Sequence, residues 1–115
     1  MFKKLRSVIY HVNDLDQAKI WYQEITGIAP YFEEKFYVGF EINGSELGLD
    51  PDLDKIIPGN NSVAYWSVDN IEDKVEALLK KGALVIDEVK EVGGGIKVAI
   101  IKDPFGNAVG LIEEV

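Results

Sequence analysis

Val12-Asn13-Asp14-Leu15-Asp16 recurs in similar form as Val68-Asp69-Asn70-Ile71-Glu72, and this internal repeat decides the predicted fold. A run rich in β-branched and aromatic residues comes before each copy, at residues 8–12 and 62–68, and such runs predict strands. An apolar stripe with helical spacing follows each copy. The sequence therefore predicts two halves that each begin with a strand and a helix.

Both predicted helices have start and stop signals. Each begins with an acidic residue followed three positions later by Gln or Glu, which is the spacing of a capping box. Each ends near a glycine, the residue that most readily adopts the left-handed conformation that closes a helix. The pairs are Asp14 with Gln17 and Asp69 with Glu72, and the glycines are Gly27 and Gly82.

Turn residues divide the rest of the chain into short strands. Asn43-Gly44 predicts a tight hairpin because both residues tolerate positive φ, and Asp103-Pro104-Phe105-Gly106 has the proline and glycine positions of a type I turn. Gly93-Gly94-Gly95 is expected to form a loop between strands, and residues 50–61 are expected to connect the halves. The predicted strands lie at residues 36–42, 46–50, 84–89, 96–102 and 108–112.

We expect the order βαβββ in both halves, which is an α+β fold, although local patterns mark only two of the three strands after the first helix. Module one is expected at about residues 1–52 and module two at about residues 60–115, within a single domain. Since order, caps and strand character agree in both halves, the duplication is a consistent interpretation.

Composition excludes several classes of function. Twenty acidic against twelve basic residues give a net charge of −8, which repels nucleic-acid phosphates and anionic membranes. The chain has no cysteine, so disulfides and thiolate chemistry are excluded. The apolar run after the basic N-terminus is short and is interrupted by His11, unlike a secretory signal. We expect a soluble cytoplasmic protein.

An ordered series of short motifs resembles the vicinal oxygen chelate superfamily, which includes glyoxalase I, bleomycin-resistance proteins and extradiol dioxygenases. The resemblance covers nearly the whole chain and implies two curved mixed sheets around a shared cleft. It also implies a homodimer. The motifs are residues 12–16, Trp21-Tyr22, Thr26-Gly27, residues 67–71 and residues 102–107.

The resemblance also identifies where metal ligands would stand. Metal-dependent members place His or Glu at four strand positions that face the cleft, because several N and O ligands must converge on one ion. These positions fall on Ser7, Val63, Gly110 and either Gly48 or, with a shift of two residues, Glu46. At most one carboxylate remains, so we expect no metal site and no cofactor.

Strand alternation then predicts a cleft lining for a small organic ligand. Alternate residues of a strand share a face, and the faces opposite the apolar helix-packing residues are expected to line the cleft. Gly48 and Gly110 are expected to leave room there, whereas Trp21 and Trp66 are assigned to the core. The predicted ligand-binding residues are Ser7, Ile9, His11, Glu46, Gly48, Val63, Tyr65, Ala108 and Gly110.

His11 and Glu46 are the candidates for catalysis. His11 is the only histidine and titrates nearest neutrality, but a histidine at a strand end is more often hydrogen-bonded structure. A hairpin carboxylate such as Glu46 is usually solvated surface. We therefore expect metal-independent binding of a small organic molecule, of the bleomycin-resistance type. The alternative is an enzyme, either a glyoxalase-like lyase or isomerase, a dioxygenase, or a metal-free acid/base catalyst.

Overall fold

A computed structural model describes residues 1–54, 56 and 62–115 of the chain. It divides into two compact units, residues 1–57 and 58–115. Part of the predicted connection at residues 50–61 lies outside the described residues. None of the described helices is long and apolar enough to cross a membrane.

Each unit has the predicted βαβββ order, and its described residues form one helix and one four-stranded mixed sheet. In the first sheet the strand order is β1-β4-β3-β2, and in the second it is β5-β8-β7-β6. The strand before the helix pairs in parallel with the last strand of its unit, and the other pairs are antiparallel. The first unit contains β1 (Ser7–His11), α1 (Leu15–Thr26), β2 (Phe32–Glu34), β3 (Tyr37–Ile42) and β4 (Ser45–Asp50). The second contains β5 (Tyr65–Ser67), α2 (Ile71–Lys80), β6 (Leu84–Gly93), β7 (Ile96–Lys102) and β8 (Ala108–Glu113).

Helix α1 begins and ends as predicted. The Asp14 carboxylate accepts the Gln17 backbone N–H at 3.1 Å, and Gly27 closes the helix in the left-handed conformation with φ of 70°. Tyr22 is buried and stacks on Tyr10 of β1, with ring centroids 5.8 Å apart. Trp21 is also buried, which confirms its assignment to the core.

The predicted capping box of α2 is wrong. Asn70, not Asp69, is the N-cap residue; it adopts a left-handed conformation with φ of 52°, and its side chain makes no capping hydrogen bond. The Ile71 N–H instead donates to the Glu113 carboxylate at 2.7 Å. A carboxylate at a helix N-terminus satisfies a free N–H and interacts favourably with the helix dipole, so the end of β8 replaces the local cap.

The turns largely agree with the sequence, whereas two strands differ from it. Asn43 and Gly44 both have positive φ, as a tight hairpin requires. β6 extends to Gly93, so Gly94 and Gly95 form a two-residue hairpin turn, a shorter connection than the predicted loop. β5 begins at Tyr65, three residues later than predicted, and the three-residue β2 was not predicted because its exposed residues give no alternation.

Each sheet has one face against the helix of its own unit. Leu47 and Leu49 of β4 and Phe40 of β3 are buried on that face of the first sheet. In the second unit, Ile71 and Leu111 form the core together with Ala99, and Trp66 packs against this cluster. The face of each sheet opposite its own helix is called its helix-free face below.

Candidate functional site

The first sheet brings five of the predicted ligand-binding residues together. Ser7 is paired with Glu46, and Ile9 is paired with Gly48, in the parallel register of β1 and β4. His11 is the next residue of the same parity on β1. Since paired residues of neighbouring strands point to the same side, all five lie on the helix-free face of the first sheet.

The remaining predicted residues lie in the second unit. Tyr65 of β5 is paired with Gly110 of β8, and Ala108 stands two residues before Gly110. These three residues share the helix-free face of the second sheet. Val63 is half-buried and precedes β5.

The expectation that Gly48 and Gly110 leave room for a ligand is wrong. A Cβ atom added at Gly48 would lie 2.6 Å from Cζ of Tyr37, and one added at Gly110 would lie 2.6 Å from Cδ1 of Tyr65. These separations are too short for a real carbon–carbon contact. Each glycine therefore allows a tyrosine ring to lie directly on the strand backbone, and the ring fills the space.

The tyrosine over Gly48 belongs to a polar cluster around Glu46. The Tyr31 and Tyr37 hydroxyls each donate a hydrogen bond to a different carboxylate oxygen of Glu46. Arg6 Nη2 lies 3.8 Å from Glu46 Oε1, and the Glu46 side chain is only 13% exposed. We call Arg6, Tyr31, Tyr37 and Glu46 the Glu46 cluster.

Hydrogen bonding and burial separate the pKa values within the cluster. The hydrogen bonds from Tyr31 and then Tyr37 lower the pKa of Glu46. Burial, followed by the hydrogen bond to Glu46, raises the pKa of Tyr37, and the hydrogen bond to Glu46 raises the pKa of Tyr31. At neutral pH Glu46 is thus an ionised carboxylate held by two neutral phenols, which makes it a weak proton acceptor.

Removal of one phenol should raise the pKa of Glu46. In the native protein this pKa lies below the unfolded value of about 4.3. Ionised Glu46 therefore stabilises the folded state fully above about pH 4.3, and this stabilisation is lost as the pH falls through the pKa of Glu46 in the folded protein. With Tyr37→Phe we expect Glu46 to titrate at higher pH, with Tyr31 still bound, as measured by ¹³C NMR of its carboxyl carbon. Tyr65→Phe, in the second unit, should leave the titration unchanged. An identical Glu46 titration in wild type and Tyr37→Phe would contradict the hydrogen bond.

His11 has a structural contact of its own. Its Nδ1 lies 2.8 Å from the Asp52 carbonyl oxygen. Because a carbonyl only accepts, Nδ1 carries the proton in this bond. His11 therefore fastens the chain after β4 to β1, as expected of a hydrogen-bonded strand-end histidine.

An open groove of about 570 Å³ lies beside the Glu46 cluster. Ile9 and Phe36 contribute apolar surface to it and are 47% and 66% exposed. Of the residues that line it, strand alternation in the sequence assigned Ile9 and Asp50 to the cleft-facing set; the signal for the covering tyrosines was the pair of glycines in register, Gly39 with Gly48. The groove is lined by Ile9, Lys35, Phe36, Tyr37, Asp50, Pro51 and Asp52.

Comparison with known proteins decides the family. The sequence model of the glyoxalase/bleomycin resistance protein/dioxygenase superfamily matches residues 4–111. The chain belongs to this superfamily. Its sequence matches none of the curated proteins with which it was compared.

Solved structures of the glyoxalase/bleomycin resistance protein/dioxygenase superfamily have the same fold. A family enzyme from Burkholderia phytofirmans PsJN is 19% identical, with a TM-score of 0.81, 98% of this chain covered and 100% of that one. A glyoxalase/bleomycin resistance protein from Albidiferax ferrireducens T118 is 21% identical, with a TM-score of 0.74, and the match covers 95% of this chain and 98% of that one. A lactoylglutathione lyase from Agrobacterium tumefaciens is 18% identical, with a TM-score of 0.73, and the match covers 96% of this chain and 92% of that one.

The residues of this superfamily member do not fit the metal site of its metal-dependent relatives. Ser7, Val63, Gly48 and Gly110 supply no imidazole or carboxylate. Both oxygens of the alternative ligand, Glu46, accept phenol hydrogen bonds. Among the described residues, no group of three or more His, Asp and Glu side chains is placed to hold an ion.

Proposed function

We propose that this member of the glyoxalase/bleomycin resistance protein/dioxygenase superfamily binds a small organic molecule without a metal ion. The observation that carries the proposal is that Tyr31 and Tyr37 hold the Glu46 carboxylate on a strand face where Gly48 supplies no metal ligand. A carboxylate held in this way is a fixed polar wall, and among the described residues no second imidazole or carboxylate joins it in a group that could hold a metal ion.

The groove beside the cluster supports the same proposal. Ligand pockets combine apolar and aromatic walls with a few polar groups that fix orientation. Here the exposed surfaces of Ile9 and Phe36 stand next to the carboxylates of Asp50 and Asp52. The predicted contacts Ser7, Ile9, His11, Glu46 and Gly48 border this region on the same sheet face.

The predicted contacts of the second unit, the homodimer and the cytoplasmic location stay predictions. Val63, Tyr65 and Ala108 are proposed as further ligand contacts, and the predicted contact at Gly110 is replaced by the Tyr65 ring that covers it. A strictly monomeric species in light scattering at micromolar concentration would count against the homodimer.

A metal-free acid/base enzyme is the rival hypothesis, and it depends on His11. The lowered pKa of Glu46 makes that residue a poor base near neutrality, which leaves His11 as the candidate for proton transfer. Turnover lost in His11→Gln, with ligand binding kept, would favour the enzyme.

A thermal-shift panel of small organic compounds tests the binding proposal. A ligand at about 100 times its Kd adds about 2.7 kcal/mol to the free energy of unfolding, so at least one compound should raise Tm by several degrees. The variant Ile9→Arg places a long charged side chain in the groove and should abolish that shift. Ile20→Arg is the matched control, because Ile20 lies on α1 and has the same 47% exposure.

Two results would overturn the binding proposal. One is a broad panel, confirmed by calorimetry, in which no compound stabilises the wild-type protein. The other is a shift that survives Ile9→Arg as fully as it survives Ile20→Arg, because the bound compound would then lie outside the groove.

A further inference from the structure

We infer that the groove beside Tyr37 selects small organic cations with an aromatic or apolar body. The inference rests on the proposed function and assigns a ligand class to it. It adds Phe36 and Asp52 to the contacts predicted from the sequence.

The apolar part of the groove is a wall of aromatic rings. Phe36 follows β2 and is 66% exposed, although Phe is a large apolar side chain. Its ring lies 6.1 Å from that of Phe32, which in turn lies 6.2 Å from Tyr37, so the three rings support one another. Aromatic faces attract cations through their quadrupole, and the attraction strengthens where water is displaced.

The polar part of the groove is a fixed pair of carboxylates. Asp50 Oδ1 accepts the Asp52 N–H at 2.8 Å, and Asp52 Oδ1 accepts the Asp54 N–H at 2.9 Å. The bond from His11 to the Asp52 carbonyl fastens the same segment to β1. The two carboxylates are therefore preorganised by backbone contacts, which lowers the ordering cost of binding a charged ligand.

The charge balance of the groove favours a cation over an anion. Two carboxylates stand against the single ammonium of Lys35 among its lining residues. The whole chain has a net charge of −8, which raises the local concentration of cations and repels anions at long range. Among the described residues that line the groove, Lys35 is the one cation that an anionic ligand would meet.

A comparison of three benzyl compounds tests the inference. Benzyltrimethylammonium, benzyl alcohol and benzoate share one ring and differ in charge, and binding is followed by ¹H–¹⁵N NMR titration. We expect the cation to bind at least about tenfold more tightly than the alcohol, with shifts at the amides of Ile9, Phe36 and Asp52, and benzoate not to saturate. Added salt should weaken the cation's binding.

Variants of the groove identify the side chains that bind the cation. Phe36→Ala and Asp50→Asn should each weaken benzyltrimethylammonium binding by about threefold or more. The asparagine keeps the oxygen that accepts the Asp52 N–H, so the turn is preserved. Phe2→Ala and Glu76→Gln are the matched controls, since both side chains lie outside the groove lining. Equal losses in the controls would overturn the inference.

The remaining outcomes separate this inference from the proposed function. Failure of benzyltrimethylammonium to bind at millimolar concentration overturns cation selection, and so does equal binding of benzyl alcohol or benzoate at the same amides. In either case a neutral compound that stabilises the wild-type protein and is blocked by Ile9→Arg would still uphold small-molecule binding.

Discussion

Replacing Gly48 with alanine should lower the free energy of unfolding by about 2 to 4 kcal/mol, although alanine is ordinarily the better strand residue. The added Cβ would lie 2.6 Å from Cζ and 2.8 Å from Cε1 of Tyr37, so the ring must move. The phenol would then lose its hydrogen bond to the Glu46 carboxylate. A hydrogen bond to a charged group contributes about 1.5 to 3 kcal/mol, which accounts for much of the expected loss.

A double-mutant cycle isolates this effect. Urea unfolding of wild type, Gly48→Ala, Tyr37→Ala and the double variant gives the coupling between the two positions. With the ring removed, the same Gly48→Ala step should cost less than about 0.5 kcal/mol or become stabilising, because only the strand preference for alanine remains. An equal cost in both backgrounds would show that Tyr37 does not cover Gly48.

The same contact bears on whether position 48 could hold a metal ligand. Histidine or glutamate at position 48 would carry the same Cβ and would displace Tyr37 in the same way. The displaced ring would leave Glu46 with one phenol donor, Tyr31. A metal ligand at this position therefore requires at least a second substitution at Tyr37.

Local signals in the sequence predicted most of the fold. The cap at Asp14, the left-handed stop at Gly27 and the hairpin at Asn43-Gly44 each depend on residues close in the chain, and all three have the predicted form. The alternation of β4 also placed Glu46 and Gly48 on the helix-free face, opposite the buried Leu47 and Leu49.

Contacts between residues distant in sequence could not be predicted in this way. The bond from Ile71 N–H to Glu113 spans 42 positions, and no local pattern distinguishes it from a capping box at Asp69. Likewise, strand alternation placed Gly48 on the helix-free face but gave no information about which side chain covers that glycine. β6 was predicted too short because bulges interrupt its register with β7 and so hide the strand periodicity.

Asp103→Ala is the second substitution with a large expected effect, about 3 kcal/mol of lost stability. Asp103 is buried, with 2% exposure, and its Oδ1 accepts the N–H groups of Phe105 at 2.9 Å and Asn107 at 2.7 Å. Its Oδ2 accepts the Asn107 side-chain amide at 3.2 Å. Each donor left unsatisfied costs about 1 to 3 kcal/mol, and alanine would remove the acceptor of all three. Thermal and urea unfolding measure the loss.

Two further aspartate variants test the cause of that loss. Asp103→Asn keeps an oxygen for the two backbone donors and should lose less than half as much stability as the alanine variant. Asp54→Ala removes an exposed loop aspartate and should change the free energy of unfolding little. Equal losses in Asp103→Ala and Asp103→Asn would show that the negative charge, not the acceptor geometry, holds the turn.

The turn sets the register of β7 with β8, since Lys102 pairs with Ala108 and Ile100 with Gly110. Amide exchange should therefore rise along β8 in Asp103→Ala.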